Sequence, residues 1–407
     1  MKKTFDSNLN KKEKHLSQKL NISSFGNTTE FDFRRNTKHL SKILKNSTIN
    51  RRLDLEVVLE FLSSHNCEQR LIIIHGLEYE YGYKLIDLVL LQPESPIRLC
   101  TLALLVESIE LYVRDFHDLL LVERTDSNSY DITRKLLEIL LGLNNNDTQK
   151  FKEIYANLLK TSVENDIEEA HGAKSIISRL FIALLDGKRY EVPAHSMATA
   201  KIIARQLHEV REGTSDIDYD SLIQIFTHDG FPQLSSIFDI YEDKYGRSIN
   251  EAIGYEFKDQ VATYCFRDMV EYIRLPSGYY SKILRQALDD VPIDYRTLIR
   301  IIIGHQNKDF CEIKLEYSKI YDETLEQTIE DRIDVVEIKQ AFITIMEKAK
   351  NSMPNESRKI RQDRKNKIDS SSLGTIPMAI GDMKSSKHRS HEAFEKLAHL
   401  FKLKRPH

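Results

Sequence analysis

One stretch of this sequence sets a glycine-containing loop and a carboxylate at a spacing that could hold a ligand. Arg211–Glu256 opens on Arg211-Glu212-Gly213-Thr214, runs through three expected helices and ends on Glu256, 43 positions after Gly213. Elsewhere the residue types that carry catalysis are not assembled. There is no glycine-rich phosphate loop, no nucleophile elbow and no pair of carboxylates in a setting that would tune them, so no enzyme is expected. Cys67, Cys100, Cys265 and Cys311 fit no zinc spacing and are expected to be reduced and structural. His388 and His391 lie three apart without acidic or thiol company. A second candidate is a surface. Ser390–Pro406 puts Phe394, Leu397, Leu400 and Phe401 on one helical face, with Lys396, Lys402, Lys404 and Arg405 elsewhere. Such a short basic amphipathic helix can lie on anionic lipid, dock on a partner or pack back on an acidic body.

The elements that would position these residues are helices. With 41% hydrophobic and 30% charged residues but only 14 Gly and 9 Pro in 407 positions, the chain has too few turn residues for an all-β fold. Helical periodicity runs from about Asp32 to Lys350, and no stretch alternates with period two, which predicts an all-α body. No run reaches the ~18 apolar residues of a membrane span, and the basic start MKKTFDSNLNKKEK has no apolar core behind it, so no secretory signal is expected. Residues 1–50 hold 11 Lys/Arg against 4 Asp/Glu, and residues 351–407 hold 13 against 6. With a net charge of −3 overall, an acidic body of −17 lies between two basic ends of +7 each.

The helices repeat. Leu77, Tyr81, Leu85 and Val89 form a ladder of apolar residues four apart that is interrupted by a polar turn. It recurs as Tyr155, Leu159, Val163, Ile167, then Tyr241, Tyr245, Ile249, Ile253, then Tyr317, Tyr321, Leu325, Ile329. The intervals are 78, 86 and 76 residues, and the longest contains Gly187-Lys188-Arg189-Tyr190-Glu191-Val192-Pro193, which reads as a linker. The tyrosines are expected to be core. Four units of about five helices each are predicted: 32–109, 110–187, 196–274 and 275–350. They are flanked by a mobile basic arm at 1–31, a linker at 188–195 and a basic tail at 351–407.

In this frame the chain resembles the annexins. Ile293-Asp294-Tyr295-Arg296-Thr297-Leu298-Ile299-Arg300-Ile301-Ile302-Ile303-Gly304-His305, followed by Asp309-Phe310-Cys311-Glu312-Ile313, looks like a fourth annexin repeat, with Gly278–Leu288 as its first helix. Pro232–Ile253 is similar to a third repeat and Cys67–Leu85 to a first; the second, about 110–187, matches in position and helix pattern. The resemblance implies a curved disc of four five-helix repeats, non-enzymatic, whose convex face binds Ca²⁺ and through it phospholipid.

The resemblance also implies where the metal ligands would be. Ca²⁺ takes six to eight oxygens. The family supplies backbone carbonyls from a Gly-x-Gly-Thr loop after the first helix of a repeat, where glycine permits the converging geometry, and a carboxylate after the fourth helix. In the first repeat the loop is Lys45-Asn46-Ser47-Thr48-Ile49-Asn50 and the acid position falls at Leu91. In the second the loop is Val122-Glu123-Arg124-Thr125, and the acid position falls at Ala170, beside Glu168 and Glu169. In the fourth the loop is Asp290-Val291-Pro292-Ile293 and the acid position is Arg332. Only the third keeps both halves, with Glu212, Gly213 and Thr214 in the loop and Glu256 as the acid. Arg211 stands where the first glycine belongs, and Ser215-Asp216 read as an insertion. Two readings stay open there: a single weak Ca²⁺ site, or an ordinary loop glycine and a solvated helix-end acid. Where the family carries arginine at the end of each second helix, this chain has His65, His228 and His305, with Leu143 in the second repeat. These are either protonated cations in a pH switch or neutral, hydrogen-bonded imidazoles.

The expected function is peripheral, cytoplasmic binding to anionic phospholipid membranes, with calcium dependence weak or lost. The alternative is a cytoskeletal or membrane-skeleton scaffold on the same fold. Nucleic acid is not an expected partner, since basic charge is confined to the tails.

Overall fold

Short polar side chains mark where helices begin in this chain, because they accept hydrogen bonds from the first-turn N–H groups that have no partner within the helix. In the computed structural model, which describes residues 31–49, 53–124, 130–191, 196–212 and 218–351, these marks delimit twenty α-helices and, among the described residues, no strand. They fall into four successive sets of five. The first is α1 (Phe33–Ile49), α2 (Leu55–Ser63), α3 (Cys67–Tyr81), α4 (Leu85–Leu90) and α5 (Pro96–Leu104). The second is α6 (Ser108–Glu123), α7 (Tyr130–Leu141), α8 (Asn145–Leu159), α9 (Val163–His171) and α10 (Ile176–Leu185). The third is α11 (Met197–Glu212), α12 (Tyr219–His228), α13 (Phe231–Tyr245), α14 (Ile249–Glu256) and α15 (Gln260–Arg274). The fourth is α16 (Pro276–Asp289), α17 (Tyr295–Gly304), α18 (Phe310–Tyr321), α19 (Leu325–Arg332) and α20 (Val336–Asn351).

The sets share their punctuation. The second helices α2, α12 and α17 start on Asp54, Asp218 and Asp294, whose carboxylates accept from the N–H of Val57, Ser221 and Thr297. The fourth helices α9, α14 and α19 start on Ser162, Ser248 and Thr324 in the same way. Every third helix ends on a residue in the left-handed region: Gly82 (φ 69°), Lys160 (φ 60°), Gly246 (φ 69°) and Asp322 (φ 55°). That conformation turns the chain sharply into the fourth helix and is strained for any residue with a Cβ.

Packing follows the ladder. In each set the first helix packs on the third. The leading ladder residues Leu77, Tyr155, Tyr241 and Tyr317 are buried, as are the fourth-helix pairs Leu85/Val89, Val163/Ile167, Ile249/Ile253 and Leu325/Ile329. Tyr81, Leu159, Tyr245 and Tyr321 are half-buried and pack against the same core. Between sets, α2 and α5 pack on α20, α5 also on α17, α7 on α15, α10 on α12, α6 on α17, and α15 on α16. The first set therefore closes against the fourth, and the second against the third.

Two buried arginines tie these layers. Arg70 is 1% exposed and donates to the carbonyls of His65 (2.7 Å) and Leu104 (3.0 Å), at the C-terminal ends of α2 and α5, where the helix dipoles are negative. Arg300 on α17 donates in a fork to Glu138 on α7 (3.1 and 2.6 Å), to Asp115 on α6, and to Thr297 (3.1 Å). Burial opposes its charge, but Glu138 and Asp115 outweigh that and hold its pKa well above the ordinary arginine value. The segment expected as a linker is anchored where it is described. Tyr190 N–H donates to the carbonyl of His228 (2.7 Å), Arg189 to that of Asp229 (2.7 Å), and Asn145 to that of Arg189 (2.8 Å). A Cβ at Gly230 would lie 2.5 Å from the carbonyl oxygen of Tyr190, so only glycine fits this crossing. The four cysteines are free thiols, and three of them are buried.

Candidate functional site

In the third set, helix capping fixes where the two candidate segments end. The first helix, α11, ends at Glu212, and the next resumes at Tyr219 behind the Asp218 cap. Gly213 and Thr214 lie outside the described residues. Glu256 is the last residue of α14, and the N–H of the following Phe257 still donates to Ile253. The Tyr219 ring meets the Phe257 ring edge-on at 5.2 Å, so the start of α12 packs on the residue next to Glu256. Beside it Tyr255 is 81% exposed. The surface residues Phe394, Leu397, Phe401, Lys402 and Lys404, like His388 and His391, also lie outside the described residues.

The equivalent positions of the other sets are described in more detail, and their residues do not fit a calcium ion. In the first set Leu91 offers no ligand at the end of α4 and is 79% exposed. In the second, Arg124 follows α6 and reaches α9, 3.3 Å from Asp166 and 3.1 Å from Glu169. Asp166 is buried and also accepts the Tyr155 hydroxyl at 2.6 Å. The neighbouring Glu123 is turned inward, accepting from Thr133 at 3.0 Å, with His171 3.8 Å away. Burial pulls the His171 pKa down to about 4, and a carboxylate at that distance does not offset it. In the fourth set Arg332 ends α19 and pairs with Asp289 at the end of α16 (2.8 Å), which also accepts from Arg285 (2.9 Å). Asp294, in the same loop, caps α17 and pairs with Lys135 at 3.0 Å. Burial works against its charge, but Lys135 and Thr297 prevail and hold its pKa low. Among the described residues no group of three or more His, Cys, Asp or Glu side chains converges as a metal site.

The histidines at the second-helix ends separate into two kinds. Burial lowers the pKa of His65, although the Phe61 carbonyl 2.8 Å from its Nδ1 works the other way. Burial lowers that of His228 as well. Both are therefore neutral near pH 7. His305 is buried with its Nδ1 2.7 Å from Asp309.

In the sequence alone Arg332 stands only as a missing acid, and Arg124 does not stand out as a partner for Glu169. The signal was present: in two sets the two half-sites carry opposite charges, Arg124 with Glu169 and Asp289 with Arg332. The Arg300 cluster carried no such signal, since its partners lie 162 and 185 positions away.

Four five-helix sets, two of which bring the end of the first helix or the residue after it against the fourth helix, define an all-α repeat protein. An annexin family model matches residues 203–265, the span that holds Glu212 and Glu256. Mouse annexin A13 is 25% identical over 299 residues, covering 74% of this chain and 90% of its own. Among solved structures, annexin III superposes with a TM-score of 0.69 at 21% identity, over 78% of this chain and 94% of that one. A calcium-bound alpha-14 giardin superposes with a TM-score of 0.58 at 16% identity, over 76% and 99%. The chain is thus similar to the annexins in sequence and carries their fold.

Proposed function

We propose that this protein is a peripheral, cytoplasmic binder of anionic phospholipid surfaces, a binding protein rather than an enzyme, and that its calcium dependence rests on the third set alone. The observation that carries the reading is the third set itself. The family model matches there, and α11 and α14 end on the two acids Glu212 and Glu256. Glu212, Gly213 and Thr214 would supply loop oxygens and Glu256 the carboxylate, with lipid phosphate and water completing six to eight ligands. The contact of Tyr219 with Phe257 supports bringing these segments together. One such site is weak, because it lacks the multivalent gain of several sites on one face. The basic C-terminal segment, through Phe394, Leu397, Phe401, Lys402 and Lys404, would add calcium-independent attraction to the same surface. We read the repeats as 32–109, 110–187, 196–274 and 275–350.

Co-sedimentation with phosphatidylserine vesicles tests this, comparing the wild type, Glu256→Gln and a chain ending at Lys350, each with Ca²⁺ or chelator. The expected result is pelleting that weakens in chelator, a calcium increment lost in Glu256→Gln, and a calcium-independent remainder lost on truncation. No pelleting of the wild type under either condition would refute membrane binding and favour a cytoskeletal scaffold.

A further inference from the structure

The second and fourth sets share a feature that loss of metal ligands alone does not require. In both, the loop after the first helix and the end of the fourth helix are joined by a guanidinium. In the second set the cation is on the loop side, with Arg124 reaching Asp166 and Glu169 on α9. In the fourth the polarity is reversed, with Arg332 on α19 reaching Asp289 on α16. If these were remnants of a metal site, the acids would sit on the same side in both. Oppositely oriented pairs at equivalent places indicate that what is kept is the link between the two segments, not a particular residue. We infer that arginine side chains take the place of the metal ion in these two sets, cross-linking the segments that a bound Ca²⁺ would join and holding them together at any calcium concentration.

The chemistry favours this exchange. A guanidinium carries five N–H donors in a rigid fork and stays charged at any physiological pH. Its positive charge among the carboxylates also repels a divalent cation. Each pair is buttressed: Asp166 is held by the Tyr155 hydroxyl, and Asp289 by Arg285. The inference rests on the annexin reading of these loops but not on membrane binding.

The experiment therefore uses the full-length protein without vesicles, carrying Glu256→Gln to silence the third set. Melting temperature and limited proteolysis are followed with and without millimolar Ca²⁺. The parent is expected to melt at the same temperature in both conditions. Neutralising both arginines (Arg124→Gln with Arg332→Gln) should lower the melting temperature by about 2–6 °C and open cleavage at the two loops. The single reversal Arg332→Asp should be worse than Arg332→Gln, and the exchange Asp289→Arg with Arg332→Asp should recover most of the loss. The inference is overturned if double neutralisation changes neither melting nor cleavage, if the exchange is no better than the single reversal, or if Ca²⁺ raises the parent's melting temperature.

Discussion

Arg300 is almost wholly buried, and so are the two acids that face it. Asp115 and Glu138 are 6% and 2% exposed; Glu138 pairs with the Arg300 guanidinium, and Asp115 with Arg300 and, at 3.2 Å, with Arg296. Removing one member of such a cluster strands the others. Arg300→Ala is expected to cost about 3–5 kcal/mol in urea unfolding, whereas replacing all three by apolar residues of similar volume should be near neutral or stabilising. A smaller effect of opposite sign belongs to the third-helix ends. Lys160 and Asp322 occupy a left-handed position that Gly82 and Gly246 fill without strain. Lys160→Gly and Asp322→Gly should each stabilise by roughly 1 kcal/mol, read from the same unfolding curves.

At the scale of the element, α9 carries a pH dependence of its own. His171, its last residue, lies against Phe181 (ring centroids 5.6 Å apart), and burial depresses its pKa to about 4 from an unfolded value near 6.5. Its stabilising contribution is complete above pH 6.5 and is lost as pH falls toward 4, because the unfolded chain takes up the proton first. Between pH 7 and pH 5 the wild type should lose about 2 kcal/mol more than His171→Gln, measured as unfolding free energy against pH. The helices were largely legible in the sequence. The ladder from Leu77 to Ile329 puts apolar residues on one face four apart, and nothing but burial explains such spacing. What was not legible depends on which ends meet. Arg332 opposite Asp289, or Arg124 opposite Glu169, becomes a pair only once two loops over forty residues apart are known to touch. The Gly213–Glu256 spacing stands only as what the annexin resemblance implies, because the family writes its ligands at that interval.

For the whole molecule, charge is divided by position: −17 in the middle and +7 at each end. An acidic body is repelled by an anionic bilayer, and that repulsion is screened over about 8 Å at physiological salt. A bound cation or a basic segment is then needed to bring such a body to the surface, which is why Glu256 and the C-terminal residues are paired in the vesicle experiment. Closure of the first set on the fourth places α20, the last of the described helices, against α2 and α5. The first set is thus covered only when α20 is in place.

The Arg300 cluster carries this ordering into biosynthesis. Asp115 and Glu138 leave the ribosome more than 160 residues before the guanidinium that neutralises them. Until it arrives, the second set holds two acids that cannot be buried in charged form without penalty. The nascent chain is therefore expected to keep the α6–α7 face hydrated during elongation, with final dehydration of that seam waiting for the fourth set. Sealing of that seam is thus expected to wait for the guanidiniums of the fourth set, Arg300 and Arg296.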